Sequence, residues 1–161
     1  MAIEVLRKLI ALVPDAKVTI IGAVTSSSIL EELRQISRLY GVDNNVSFAP
    51  NLDMLSVREV LGASKVIFST MPNEPFGTAI VEGMAAGCVP LVQRGGGQYD
   101  DTIDHDRYGL SYSDQDEAVE LMASLMHRDP KRLELKRAAT FRAWQFDVSR
   151  FREKLKESIM E

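Results

Sequence analysis

Cysteine is almost absent from this 161-residue sequence: Cys88 stands alone. A single cysteine excludes a disulfide framework and any multi-cysteine zinc site. Long apolar runs are missing too. The longest stretch without a charged residue is Val18 to Leu30, 13 residues, whereas a helix needs about 20 to cross a bilayer. Glu4, Arg7 and Lys8 interrupt the first ten residues, so no signal-peptide core is expected there. Nor is there a basic excess. The 19 Lys and Arg are outnumbered by 23 Asp and Glu, for a net charge of -4, the opposite of a nucleic-acid-binding surface. The sequence also lacks a Gly-x-Gly-x-x-Gly fingerprint, a P-loop lysine and a Gly-x-Ser-x-Gly elbow, which argues against a dehydrogenase, an NTPase and a serine hydrolase. These absences leave a soluble, cytoplasmic chain as the expectation, with residues 1–161 forming one domain.

What is present is ordinary globular composition, 45% hydrophobic and 26% charged. Ile3, Leu6, Ile10 and Val13 recur at helical spacing before Pro14. Lys17–Ile21, Val46–Phe48, Lys65–Ser69, Val89–Val92 and Gly109–Tyr112 read as short strands, with Pro50 ending the second and Pro90 near the start of the fourth. Helices are predicted between them. Ser26–Ser28 would cap one carrying Ile29, Leu33, Ile36 and Tyr40, and Asp53 would cap one with Met54, Val57 and Leu61 inward. A third would run from Gly77 to Ala86 and end at Gly87. Later helices carry Ala118, Leu121, Met122 and Leu125, start at Pro130, and start at Asp147, the last burying Val148, Phe151, Leu155 and Ile159. Near-continuous apolar strands alternating with helices predict an α/β fold, a doubly wound parallel sheet covered on both faces. Residues 128–161 hold 10 basic against 6 acidic residues, and acids interleave throughout, so a solvated helical face is favoured over contact with anionic lipid or another domain.

Ligands of such sheets bind where loops leave the carboxyl ends of the strands. The informative loop is Thr70–Gly77, followed by Thr78-Ala79-Ile80-Val81-Glu82. A helix start with free amides and a positive dipole end is an anion site, and Gly77 adds no Cβ to keep a phosphate off the backbone. Glu74 and Glu82 frame it. Carboxylates are poor phosphate ligands but good acceptors for vicinal hydroxyls, a combination that suits a sugar nucleotide. Taken singly, Glu74 reads as an acid satisfying the helix start and Glu82 as a solvated helix residue. However, Glu82 is the lone charge in Ala79–Gly87, within a helix expected to be sandwiched.

The residues Glu74-Pro-Phe-Gly-x-x-x-x-Glu82, then Met84-Ala-Ala-Gly-x-x-Pro90-Leu-Val, then Gly96-Gly97-x-x-Asp100 resemble the C-terminal, donor-binding domain of retaining GT-B-type glycosyltransferases (family 4, glycosyl transferases group 1). The resemblance runs over essentially the whole chain, and Asn73 before Glu74 makes it most similar to eukaryotic-type α-1,2-mannosyltransferases of lipid-linked oligosaccharide assembly. It implies that Glu82 binds ribose hydroxyls and that Glu74, the catalytic candidate, holds the donor hexose. It also implies that amides around Phe76, Gly77 and Thr78 meet the diphosphate or the sugar. The turn Ala49-Pro50-Asn51 would lie near the base. Gly96 and Gly97 would form the next turn on the rim, or simply a tight turn, and Asp100 stands where the family usually has Glu. The implied reaction is retaining transfer of a hexose, mannose by the finer resemblance, from a GDP- or UDP-hexose to an acceptor hydroxyl, with no cofactor and no metal.

The family's basic pair, its acceptor-binding domain and the first strand of this domain have no counterpart in residues 1–161. The acceptor glycan or glycolipid would then be bound by a missing N-terminal domain or a partner chain, with peripheral membrane contact. In the usual strand order the first strand lies between Val18–Ile21 and Val66–Ser69. Those two segments are expected to re-pair directly, to leave a destabilising slot, or to be completed by a strand from another chain. The alternatives are a non-catalytic donor-binding subunit of a split glycosyltransferase, and a sugar-nucleotide epimerase or phosphorylase of the same architecture. His105 reads as a surface-loop residue, His127 as a helix-end residue, Cys88 as a small buried hydrophobe, and Trp144 with Phe141 and Val148 as core or interdomain packing.

Overall fold

A computed structural model describes residues 1–24, 26–127 and 129–160. The chain alternates helix and strand: α1 (Ala2–Leu9), β1 (Val18–Gly22), α2 (Ser27–Leu39), β2 (Val46–Pro50), α3 (Met54–Ala63), β3 (Val66–Phe68), α4 (Thr78–Ala86), β4 (Val89–Gln93), β5 (Leu110–Tyr112), then α5 (Gln115–His127), α6 (Asp129–Trp144) and α7 (Val148–Met160). Caps fall where the sequence places them. Ser26 and Asp53 accept from the N–H groups of Ser28 and Ser56, and Asp147 from that of Ser149, each satisfying a helix-start donor. Pro50 ends β2 from within, as its last residue.

Among the described residues all strand pairs are parallel, in two sheets: β1 with β2, and β3–β4–β5. The apolar residues divide by strand period. Val66, Phe68, Leu91, Leu110 and Tyr112 join α1, α2 and α5 in one cluster, which also takes Val18 and Ile20. Ile67 and Val92 point the other way and join Ile80 and Met84 of α4 with Ala139 and Ala143 of α6. Helices therefore cover both faces, as expected for a doubly wound α/β fold.

Several expectations are corrected or narrowed. β1 and β3 are not hydrogen-bonded to each other, so the direct re-pairing of Val18–Ile21 with Val66–Ser69 does not occur. The final helix does not bury its stripe: Val148, Phe151, Leu155 and Ile159 are all exposed, Phe151 at 63%. Trp144 and Phe141 are exposed as well, with the Arg150 guanidinium 3.9 Å from the Trp144 ring centroid, which removes the core alternative for them and not the interdomain one. These side chains have helical period but no facing element among the described residues, and period alone does not supply one. Met54 and Ile29 are also more exposed than their spacing predicts. No helix among the described residues is long and apolar enough to cross a membrane.

Cys88 is fully buried at the start of β4. Its Sγ donates to the Leu61 carbonyl at 3.2 Å, and burial raises the thiol pKa to about 11, against a smaller opposing pull from Lys136. The thiolate is the reactive form, so Cys88 in the folded chain is expected to resist a thiol reagent such as DTNB at pH 8 and to react on unfolding in guanidinium. Fast labelling of the native chain would show the β4 end to be open.

Candidate functional site

Parallel pairing brings the carboxyl ends of β3, β4 and β5 to one edge of their sheet, and those of β1 and β2 to one edge of theirs. From β3 the chain passes through Ser69 into the loop Thr70–Gly77 and then α4. Asn73 and Gly77 both have positive φ, +51° and +78°, so the loop turns twice before the helix begins. Gly77 is the N-cap of α4, and no side chain caps that helix. Glu74 is thus not a capping acid, which removes its ordinary structural role. Among the described residues, the N–H groups of Glu74, Phe76, Gly77, Thr78 and Ala79 have no intramolecular acceptor. Unpaired amides at the positive end of a nine-residue helix attract an anion.

The carbonyl oxygens of the same loop are taken. A π-helical turn, Gln98–Thr102, donates to them at three points. The Gln98 N–H reaches the Glu74 carbonyl at 3.1 Å, Gln98 Nε2 reaches that of Met71 at 3.0 Å, and the Thr102 hydroxyl reaches that of Phe76 at 2.5 Å. Gly96 and Gly97, expected as a rim turn, form the surface on which the loop rests. A Cβ on Gly96 would lie 2.7 Å from Asn73 Cα, and one on Gly97 only 1.6 Å from the Pro75 carbonyl oxygen. The close approach is their function here.

Of the remaining candidates, Phe76 is partly exposed and meets Phe146 edge-on, with ring centroids 5.2 Å apart. Thr78 is exposed. Glu82 lies on the open side of α4, beside a groove lined by Val57, Arg58 and Leu61 of α3. α4 is not sandwiched around its whole circumference, so the burial argument for Glu82 is corrected. Neither Glu74 nor Glu82 has a carboxylate partner among the described residues. Asn51, with φ +54°, spans the ends of β1 and β2: its N–H bonds the Gly22 carbonyl and its Oδ1 accepts from Val24 N–H. No bond joins Pro50 or Asn51 to the 70–78 loop among the described residues. His105 is exposed, against the Tyr99 ring and 3.7 Å from Asp100; Asp100 is exposed too.

Sequence reasoning missed Gln98, Thr102 and Arg142. The last donates to the carbonyls of Asp101 and Thr102 from 40 residues away. Nothing in the spacing of these residues marks them, because they act on backbone oxygens that a sequence pattern does not display.

Comparison with known proteins agrees with this architecture. The family model for glycosyl transferases group 1 matches residues 1–142. The GDP-Man:Man(3)GlcNAc(2)-PP-Dol alpha-1,2-mannosyltransferase of Homo sapiens is 30% identical over 152 residues, 90% of this chain and 30% of that protein. Its Dictyostelium discoideum counterpart is 26% identical over 140 residues, 85% of this chain and 28% of its own. The chain thus spans less than a third of the length of these relatives. Among solved structures, Anabaena Alr3699/HepE in complex with UDP superposes with a TM-score of 0.82 at 23% identity, covering 98% of this chain and 43% of that one. Sucrose-phosphate synthase from Thermosynechococcus elongatus gives 0.83 at 17% identity, covering 98% and 41%. With a family match over residues 1–142 and the doubly wound fold of GT-B glycosyltransferases, the chain belongs to the glycosyl transferases group 1 family.

Proposed function

We propose that this chain binds a nucleotide sugar and is the donor half of a retaining hexosyltransferase. The observation that carries the reading is the set of unpaired amides from Glu74 to Ala79 between two carboxylates without partners. In the proposed complex the diphosphate meets the amides around Phe76, Gly77 and Thr78, Glu74 accepts from hydroxyls of the hexose at the reacting centre, and Glu82 accepts from the ribose. Breaking the bond from the anomeric carbon to the diphosphate leaves negative charge on the leaving group. Fixed amides and a helix dipole stabilise such charge without reorganising. Pro50 and Asn51, at the carboxyl end of β2, would border the base. No metal or cofactor takes part.

GDP-mannose is the donor we favour, because the relatives that match over 85–90% of the chain are GDP-Man-dependent by name, although HepE was solved with UDP-glucose. The acceptor, a glycan or glycolipid by the same likeness, is held by a second domain or a partner chain, and residues 1–161 alone are inactive in transfer.

Calorimetric titration with GDP, UDP and ADP tests the reading. One nucleotide should saturate the chain. A charged acceptor hydrogen bond contributes about 1.5–3 kcal/mol, so Glu82→Ala should weaken binding about 10- to 100-fold with little change in Tm. A folded chain that binds none of the three would remove the proposal.

A further inference from the structure

Gln98 is fully buried, and its Oε1 has no hydrogen-bond partner among the described residues. A stranded acceptor is costly in a core, and an apolar side chain of the same size would avoid it. What the position uses is the other end of the amide. Nε2 faces two carbonyls, Met71 at 3.0 Å and Gln93 at 3.4 Å, and so ties the start of the 71–78 loop to the end of β4. The main chain of the same residue holds Glu74, and Thr102, also fully buried, holds Phe76.

The clamp has its own support. Arg142 Nε donates to the Thr102 carbonyl at 3.3 Å, and Nη2 to that of Asp101 at 2.5 Å. Its guanidinium lies 4.8 Å from the Phe146 ring centroid, and Phe146 meets Phe76 edge-on. The contacts close a ring: Phe76 to Thr102 to Arg142 to Phe146 and back to Phe76. A peptide group whose carbonyl is held inward directs its N–H outward, because the two are antiparallel across a planar trans bond. The bond at the Phe76 carbonyl therefore fixes the Gly77 N–H; the Met71 and Glu74 carbonyls precede Pro72 and Pro75, which carry no N–H, so the bonds there fix the path of the loop.

We propose that Gln98, Thr102 and Arg142 are positioning residues of the donor site: they hold the 71–78 loop by its carbonyl oxygens and so keep the Gly77 N–H directed, and the path of the loop that carries its neighbours fixed, for the ligand. The inference rests on the donor-site reading, but the clamp can be read without ligand. The test compares Thr102→Val and Gln98→Met, which keep size and remove the donor, with Thr140→Val, which removes a hydroxyl bond to the Met84 carbonyl at the far end of α4. In 15N–1H spectra of the free chain, the amides of Phe76, Gly77 and Thr78 should shift in the first two variants and stay in place in the third. Affinity for the nucleotide that wild type binds should fall at least about 10-fold in the same two, and Arg142→Lys, with fewer donors, should lie between. Should Gln98→Met fail to fold, Thr102→Val carries the test alone. Unmoved amides and unchanged affinity in Thr102→Val would overturn the clamp, as would equal shifts in Thr140→Val. A wild-type chain that binds no nucleotide would instead overturn the donor reading, and the free-chain spectra would then decide the clamp.

Discussion

Gly97→Ala is expected to weaken nucleotide binding about 100-fold while leaving a folded chain. Gly97 has φ -64° and ψ -25°, a conformation open to every residue, so alanine meets no backbone strain there. The obstacle is contact. Its Cβ would sit 1.6 Å from the Pro75 oxygen and 2.6 Å from the Pro75 carbonyl carbon, against a normal carbon–oxygen approach of about 3.3 Å. The loop must therefore retreat by well over an ångström, or the turn must. Overpacking of this kind costs about 1–3 kcal/mol, which a domain of this size survives. A 1 Å displacement of a binding group is enough to cost about 100-fold in a positioned reaction, and Glu74, Phe76 and Gly77 all move with Pro75. Calorimetry with the nucleotide that wild type binds, together with circular dichroism and a thermal melt, separates the two effects. Retained affinity in a folded Gly97→Ala would mean that the 73–77 loop and the glycine turn are not coupled as the structure has them.

The parts of this fold that sequence reveals are those governed by local periodicity and caps. Ile67 and Val92 face one way, and Phe68 and Leu91 the other, because strands alternate. Gly77 and Gly87 bound α4 because both carry positive φ. The candidate loop was legible for the same reason: it begins at a strand end and stops at a helix start. Failures fall where a side chain acts on something distant in sequence. The stripe Val148, Phe151, Leu155, Ile159 has the right period for burial, yet burial requires a second surface. Gly95-Gly96-Gly97 reads as a turn, but its close packing on Asn73 and Pro75 follows from how two loops meet. Gln98, Thr102 and Arg142 hold this region by bonds to backbone oxygens, and any chain segment could supply those.

Inserting a parallel strand between β1 and β3 is expected to raise the melting temperature of residues 1–161 by about 10 °C or more. The Lys65 carbonyl and Ser69 N–H bond β4, so by alternation Val66 and Phe68 direct their N–H and C=O groups to the opposite edge. The Gly22 carbonyl bonds Asn51 beyond β2, so Thr19 and Ile21 direct theirs away from β2. In the doubly wound order these two free edges flank a single central strand position, and Val18, Ile20, Val66 and Phe68 already border one apolar cluster there. A strand in that position would be hydrogen-bonded on both sides and buried on both faces. Each new bond contributes about 1 kcal/mol and each buried Val or Ile about 1.5–3 kcal/mol, set against about 1–2 kcal/mol of backbone entropy per residue ordered. The net gain is several kcal/mol, and 1 kcal/mol moves Tm by about 2–4 °C at this size. The measurement joins a five-residue Val/Ile segment ahead of Ala2 through a short Gly/Ser linker and follows amide hydrogen exchange with and without it. Without it, the amides of Thr19, Ile21, Val66 and Phe68 should exchange far faster than those of Ile20 and Ile67, an alternation no uniform loosening would produce. With it, the four should become protected as the melt moves up. Equal protection along β1 and β3 in residues 1–161, or a segment that changes neither exchange nor melt, would show that the two ladders do not present an open strand position.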